Sequence, residues 1–285
     1  MKYYLLIIII ILGTVVWPIN KMSLANNARS EYLGMVISFV ASITAFVLAV
    51  ISKGNFMDLN IFMLGCLTGI AYSIGPCVLL FKCIKIGPMG LSVTFSNLSL
   101  LWPVVIGMIF FPAISSISIL KVTGVITIVI AMLLLSKNDN KVSDGKINKR
   151  WLKLIILAWG FAGISLVAQL LFSIYSKNNL MVYAFYTYFI AFVILFAYNA
   201  FLHNLVPFKV EIIGGALNGF IYLTFFCLTT YVLVYVSPTI VFISSTLLPL
   251  VLVLIIGSVC FKEKLNKFSK IGIYLAILGF IFIQM

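Results

Sequence analysis

Hydrophobic residues run along this chain in blocks too long for a soluble fold, separated by short polar turns. Ten blocks stand out, at about 3–19, 31–51, 61–81, 87–111, 117–136, 152–174, 180–202, 210–234, 238–261 and 268–285. About 20 apolar residues in a helix span the hydrocarbon core of a bilayer. Spanning backbone has to satisfy its own hydrogen bonds, so the blocks predict helices. None of the connections is long enough to fold as a separate domain.

The pattern also repeats. The stretch SPTIVFISSTLLPLVLVLIIGSVCFKEKLNKFSKIG from Ser237 is a proline-containing apolar run, a charged turn with Glu263, then Lys-Ile-Gly. A diluted copy begins at Gly87. Pro88, Leu98, Leu100, Ile106, Gly107 and Phe111 match Pro238, Leu248, Leu250, Ile256, Gly257 and Phe261 at an offset of 150. Past a two-residue gap, Gly124 matches Gly272. Near the start of each half, Leu12, Trp17, Ser23 and Leu24 match Leu154, Trp159, Ser165 and Leu166 at an offset of 142. Offsets of about half the chain, in the right order, read as an internal duplication. Five helices per half is an odd number, so the second half enters the membrane from the opposite side. The expected fold is therefore an all-α integral membrane protein, with ten transmembrane helices arranged as two inverted five-helix repeats. Residues 1–136 form the first repeat and 151–285 the second. The polar linker 137–150 between them belongs to the run from Lys137 to Lys153.

Composition supports this reading. Charged residues make up 9% of the 285 and hydrophobic ones 64%, too few charges to keep a soluble surface wet. The net charge of +13 does not point to nucleic acid, because the lysines sit in turns between apolar helices, where they set topology. Four of the 19 cationic residues (Lys2, Lys53, Lys121, Lys177) fall on the side of the termini and the other 15 on the linker side. By the positive-inside rule both termini lie outside. Cys66, Cys77, Cys83, Cys227 and Cys260 lie in or beside apolar blocks without paired spacing, and read as packing residues. Lys2, the apolar run and Ser23-Leu24-Ala25 have the outline of a secretory signal. Trp17-Pro18 and Lys21 interrupt it and the duplication needs this segment, so an uncleaved first helix is expected.

These features resemble the drug/metabolite transporter superfamily, and within it the EamA-type ten-helix transporters. The resemblance covers the whole chain. It is strongest at Pro249, Glu263 and Gly272, and Lys21 matches the lysine that often ends the first helix. It is weaker where Ser115 stands in place of the glutamate and Pro18 follows Trp17. It implies transport as a class, leaves the substrate open, and implies cytoplasmic termini, opposite to the charge count.

The six acids, Glu31, Asp58, Asp139, Asp144, Glu211 and Glu263, lie in loops or near helix ends. No carboxylate at mid-depth is available to load a proton, which favours facilitated diffusion or exchange over cation/proton antiport. The single His203 ends block 7, and no paired-carboxylate, metal-ligand or phosphate-loop pattern is present, so neither an enzyme nor a cofactor is expected.

Polar groups inside the blocks are the candidate chemistry. Ser96 and Asn97 lie among Ser92, Thr94 and Ser99, and Ser245 and Thr246 follow Ser244 in the equivalent stretch of the second half. Tyr72, Gln169, Asn218 and Tyr222 lie inside other blocks, the last two on one helix face. Such groups either bond neighbouring helices or face a cavity. Trp17 and Trp159, at matching points of the repeats, are candidate rings flanking a central cavity or shared packing positions. Tyr183, Tyr186 and Tyr188 suit an interfacial belt. Gly65/Gly69 and Gly215/Gly219 read as close helix contacts. Pro88, Pro103, Pro238 and Pro249 read as bends.

The candidate substrate-binding set is thus Trp17, Tyr72, Ser96, Asn97, Trp159, Gln169, Asn218, Tyr222, Ser245 and Thr246. The expected function is secondary transport of a small neutral, zwitterionic or amphipathic metabolite across the cell membrane by alternating access. The alternative is a flippase or accessory protein for a lipid-linked envelope precursor, with Lys82, Lys85 and Lys209 near one leaflet. A non-transporting scaffold would tolerate changes at Asn97 and Gln169. Expected partners are the substrate and the lipid bilayer, no nucleic acid, with a homodimer compatible with the pattern.

Overall fold

The computed structural model describes residues 3–26, 28–86, 92, 95–111, 118–136, 149–176, 178–201, 206–260 and 267–284. The linker residues 137–148 lie outside this set, as do Pro88, Thr94, Ser115, His203 and Glu263.

Among the described residues, ten helical segments follow the ten blocks. They are α1 (Tyr3–Ala25), α2 (Ser30–Ile51), α3, α4, α5 (Ile119–Ser136), α6 (Lys149–Tyr175), α7 (Leu180–Phe201), α8 (Lys209–Leu233), α9 (Pro238–Cys260) and α10 (Lys267–Gln284). The segment α3 is α-helical over Leu59–Tyr72, π-helical over Ser73–Leu79 and α-helical again over Leu80–Ile86. The segment α4 has a 3-10 turn at Leu98–Leu100 that leads into Leu101–Phe110. Segments α2, α3, α6, α7 and α8 are each long and apolar enough to cross a membrane, and the others contain shorter apolar helices. Phe39, Phe46, Val50, Ile109 and Tyr274 are among many large apolar side chains left exposed, as a lipid-facing surface requires.

Prolines shape these helices in three ways. The helix α1 continues through Pro18 to Ala25, where Ser23 packs on Gly214 of α8. The helix α3 contains Pro76, and the π turn around it absorbs the missing N–H that would otherwise break the ladder. Pro238 is the first residue of α9, where a missing N–H costs nothing, so it starts a helix and does not bend one. Pro103 follows the 3-10 turn, and Pro249 lies inside α9.

The helix pairs obey the inverted repeat. If α1–α5 correspond to α6–α10, the contact α3–α7 has the mate α8–α2, α3–α6 has α8–α1, and α1–α9 has α6–α4. All six pairs are formed. The glycine contacts repeat residue by residue. A Cβ on Gly65 would come 2.6 Å from Tyr186 Cβ, and one on Gly215 would come 2.6 Å from Val36 Cβ. A Cβ on Gly69 would strike the Thr187 carbonyl, and one on Gly219 would lie 3.0 Å from the Ile37 carbonyl. Each pair is related by 150 positions. The helix ends share that offset, since Ala25 and Tyr175 end α1 and α6, and Ser30 and Leu180 begin α2 and α7. At this register Trp159 corresponds to Ile9 and Trp17 to Val167, so the two tryptophans are not equivalent. Their match at an offset of 142 is a coincidence between two apolar stretches.

The largest core cluster gathers Ile9 of α1, Leu100 and Val104 of α4, Ile128 and Met132 of α5, Leu170 of α6 and Phe242 and Ile243 of α9, all nearly inaccessible.

Candidate functional site

Of the ten candidates, Tyr72, Asn218 and Tyr222 come together. Asn218 lies near the middle of α8 and is fully buried, with Tyr222 one turn further on the same face. Opposite them stands Asn20 of α1, which the sequence pattern did not single out. Asn218 Nδ2 donates to Asn20 Oδ1 at 2.8 Å, and Asn20 Nδ2 reaches Tyr222 Oη at 3.5 Å, the long end of the hydrogen-bond range. Asn218 Oδ1 is buried and accepts nothing. A buried acceptor left empty costs about 1–3 kcal/mol, so this arrangement is under-satisfied.

Aromatic rings close one side of the cluster. Tyr188 of α7 donates its hydroxyl to the Tyr222 carbonyl at 3.2 Å. Its ring stands edge-on to Tyr72 at 6.0 Å and to Phe226 at 5.6 Å. Cys77, in the π turn of α3, lies beside Tyr72. Tyr72 and Tyr222 are 150 positions apart and hence equivalent in the two repeats, a relation visible in the sequence once the register is known. The rings continue from Phe226 to Tyr183 at 5.5 Å and from Tyr183 to Phe172, stacked at 4.0 Å. Tyr183 and Tyr188 are buried, so they are interior residues and not an interfacial belt. Aromatic content alone does not distinguish the two settings.

Gln169 is buried in α6 and donates to Thr230 Oγ1 of α8 at 2.7 Å, an interhelical tie. Ser245 and Thr246 donate their hydroxyls to the Phe242 carbonyl of their own helix, at 3.1 and 2.7 Å. Ser96 is buried and Asn97 half-buried just before the 3-10 turn of α4, which packs against α9. Trp159 stacks obliquely on Trp102 of α4 at 5.1 Å, and Trp102 also covers Gly163. The side chain of Trp17 lies outside the described set.

The charged chemistry sits at the helix ends. Glu211, in the first turn of α8, has a side chain with no exposure. Arg29 Nε and Nη2 donate to its two carboxylate oxygens at 2.9 and 3.0 Å, and the Arg29 and Phe208 backbone N–H groups add bonds of 2.7 Å each. The guanidinium is held between the Tyr32 and Phe208 rings, at 3.5 and 4.2 Å from their centroids. Its hydrogen bond to Glu211 raises the Arg29 pKa further. The site candidates are uncharged, and this pair lies about two turns of α8 away from Asn218.

Residues 149–285 match the model of the EamA-like transporter family. That half of the chain belongs to the family. The EamA-like assignment makes this a multi-pass membrane protein of transporter type, in keeping with the resemblance drawn from Pro249 and Gly272. A solved structure described only as "Crystal structure of protein" is similar in fold, with a TM-score of 0.73 at 13% identity. The alignment covers 99% of this chain and 96% of that one, so the shared fold spans both halves. No curated protein sequence matches the chain.

Proposed function

We propose that the protein is a secondary transporter moving a small neutral, zwitterionic or amphipathic metabolite across the cell membrane by alternating access. The moving units are the two five-helix repeats, residues 1–136 and 151–285, joined by the linker 137–150. The observation that carries this reading is the Asn20–Asn218–Tyr222 cluster, with Asn218 fully buried between half-buried Asn20 and Tyr222. It joins α1 of one repeat to α8 of the other, with Tyr72, the equivalent of Tyr222, beside it. Polar groups buried among apolar helices cost free energy unless they are paired, and a pocket between inverted repeats is where transporters place their substrate. Amides, hydroxyls and rings without a fixed charge suit an uncharged or zwitterionic solute.

A comparison of metabolites in cells with and without the gene tests the proposal. One soluble metabolite should change its distribution between cell and medium. Wild-type protein should restore it, and Asn218→Leu should not. A second reading, flipping of a lipid-linked precursor, is favoured by the half-buried Lys82, whose Nζ lies 5.3 Å from the Tyr198 ring centroid, and by the exposed Lys209 at the same end of the bundle. Accumulation of a lipid-linked sugar with soluble metabolites unchanged would select that reading.

A further inference from the structure

The α1–α8 cluster has an internal mismatch. Asn218 offers a donor and an acceptor side by side, and Asn20 engages only the donor, at 2.8 Å. The acceptor, Asn218 Oδ1, is fully buried and unpartnered. Asn20 in turn gives its own donor to Tyr222 Oη at 3.5 Å, near the limit of a useful bond. Asn20 lies two residues after Pro18, whose missing N–H removes the helical bond to the Thr14 carbonyl in the preceding turn of α1.

A group that presents an acceptor and a donor together would pair with both ends of the Asn218 amide, which Asn20 does not do. We propose that Asn218 reads an amide-type edge on the substrate, as in a carboxamide, lactam or ureide, and that Asn20 is a built-in competitor for that edge. The inference rests on reading the α1–α8 cluster as the substrate site and adds the chemical class recognised there. The rings of Tyr72 and Tyr188, which meet edge-on at 6.0 Å next to Tyr222, supply an apolar wall one turn of α8 from Asn218, suited to a flat body attached to that edge. Displacing Asn20 removes a polar tie between α1 and α8, so substrate binding loosens a contact between the two repeats. The free energy for that step comes from the Asn218 acceptor that Asn20 leaves empty.

The test uses the full chain in lipid nanodiscs, with empty nanodiscs as the blank, titrated with benzamide and with N,N-dimethylbenzamide. The second probe keeps the carbonyl acceptor and lacks the N–H donors. Benzamide should bind about tenfold tighter, the worth of one well-formed hydrogen bond to a buried group. Asn218→Leu should erase the difference between the probes. Asn20→Ala should tighten benzamide binding about threefold to tenfold, because the competitor is gone. Asn20→Ser, too short to reach Asn218, should do the same if the alanine variant unpacks α1. Equal binding of the two probes to the wild type overturns the inference, and so does weaker benzamide binding in both Asn20 variants. Transport is read separately, by counterflow in proteoliposomes. Probe discrimination without flux of any solute would sink the transport reading and leave this one standing. Flux of a solute with which benzamide does not compete would do the reverse.

Discussion

Arg29 grips Glu211 side-on, with both carboxylate oxygens engaged and the carboxylate wholly withdrawn from solvent. Arg29 immediately precedes α2, and Glu211 lies in the first turn of α8, so the pair pins the entrance of one helix to the entrance of another. At the equivalent place in the other repeat stands Asn179, preceding α7, which accepts a backbone N–H from Asn55 at 3.2 Å. Among the described residues, this position is tied by ions in one repeat and by a neutral bond in the other.

The two members of the ion pair should not be equally costly to remove. Arg29→Gln strands a carboxylate with no exposure, whereas Glu211→Gln strands a guanidinium that is 27% exposed and can turn toward water. Breaking a buried pair by deleting one partner costs about 3–5 kcal/mol. Arg29→Gln should fall in that range and Glu211→Gln clearly below it. Melting temperatures of the purified variants decide this, and a larger loss in Glu211→Gln would refute the argument.

The repeated glycine contacts predict paired intolerance. Gly69→Val would drive a side chain into the Thr187 carbonyl, and Gly219→Val would meet Val40 and the Ile37 carbonyl. Both should abolish folding or cut yield severely. Gly160→Ala meets nothing within 4 Å and should be neutral, or stabilising by up to about 1 kcal/mol from helix propensity. Expression with monodispersity in detergent is the measurement.

Gln169 and Asn218 are equal candidates in the sequence, and their partners in the structure differ. Gln169 is tied to Thr230, so Gln169→Leu should lower stability by about 1 kcal/mol and leave solute movement intact in folded protein. Asn218→Leu should stop movement while costing no more stability than Gln169→Leu, because the lost bond to Asn20 is offset by removal of an unpaired acceptor. A Gln169→Leu/Thr230→Val double-mutant cycle should show coupling. Additive losses would mean that the tie contributes nothing.

Gly13 of α1 packs on Pro249 of α9, where an added Cβ would come 2.9 Å from the proline ring. If the bend at Pro249 serves motion between the repeats, Pro249→Ala should slow transport several-fold without lowering expression. Unchanged rates in proteoliposomes would remove the bend from the mechanism.

The distribution of charge also makes a prediction. Arg29, Lys82, Lys149, Arg150, Lys153, Lys209, Lys267 and Lys270 all lie at the linker end of the bundle, opposite the termini. Positive charge in short loops is retained in the cytoplasm, so a reporter fused to the C-terminus should be active outside it. Cytoplasmic activity would defeat this orientation.

Much of the architecture was legible in the hydropathy pattern, because lipid leaves the backbone no alternative to helices. Ten apolar blocks, the inverted duplication and the glycine pairs at 65/69 and 215/219 could all be read in one dimension. The functional grouping could not. Whether Gln169 bonds a neighbouring helix or faces a cavity depends on which residue of α8 stands opposite it, and Thr230 lies 61 positions away. Asn20 carried no signal, since a lone asparagine between Pro18 and Lys21 looks like a helix end until α1 is seen to continue to Ala25. The Arg29–Glu211 pair joins residues 182 apart and has no local signature at all. Sequence by itself determined what the solvent demands: the helices, their number and their two-fold relation. Tertiary structure decided which buried polar groups are paired and which are left wanting, because that depends on facing helices and on the register of 150 that sets Tyr72 opposite Tyr222 in the two repeats.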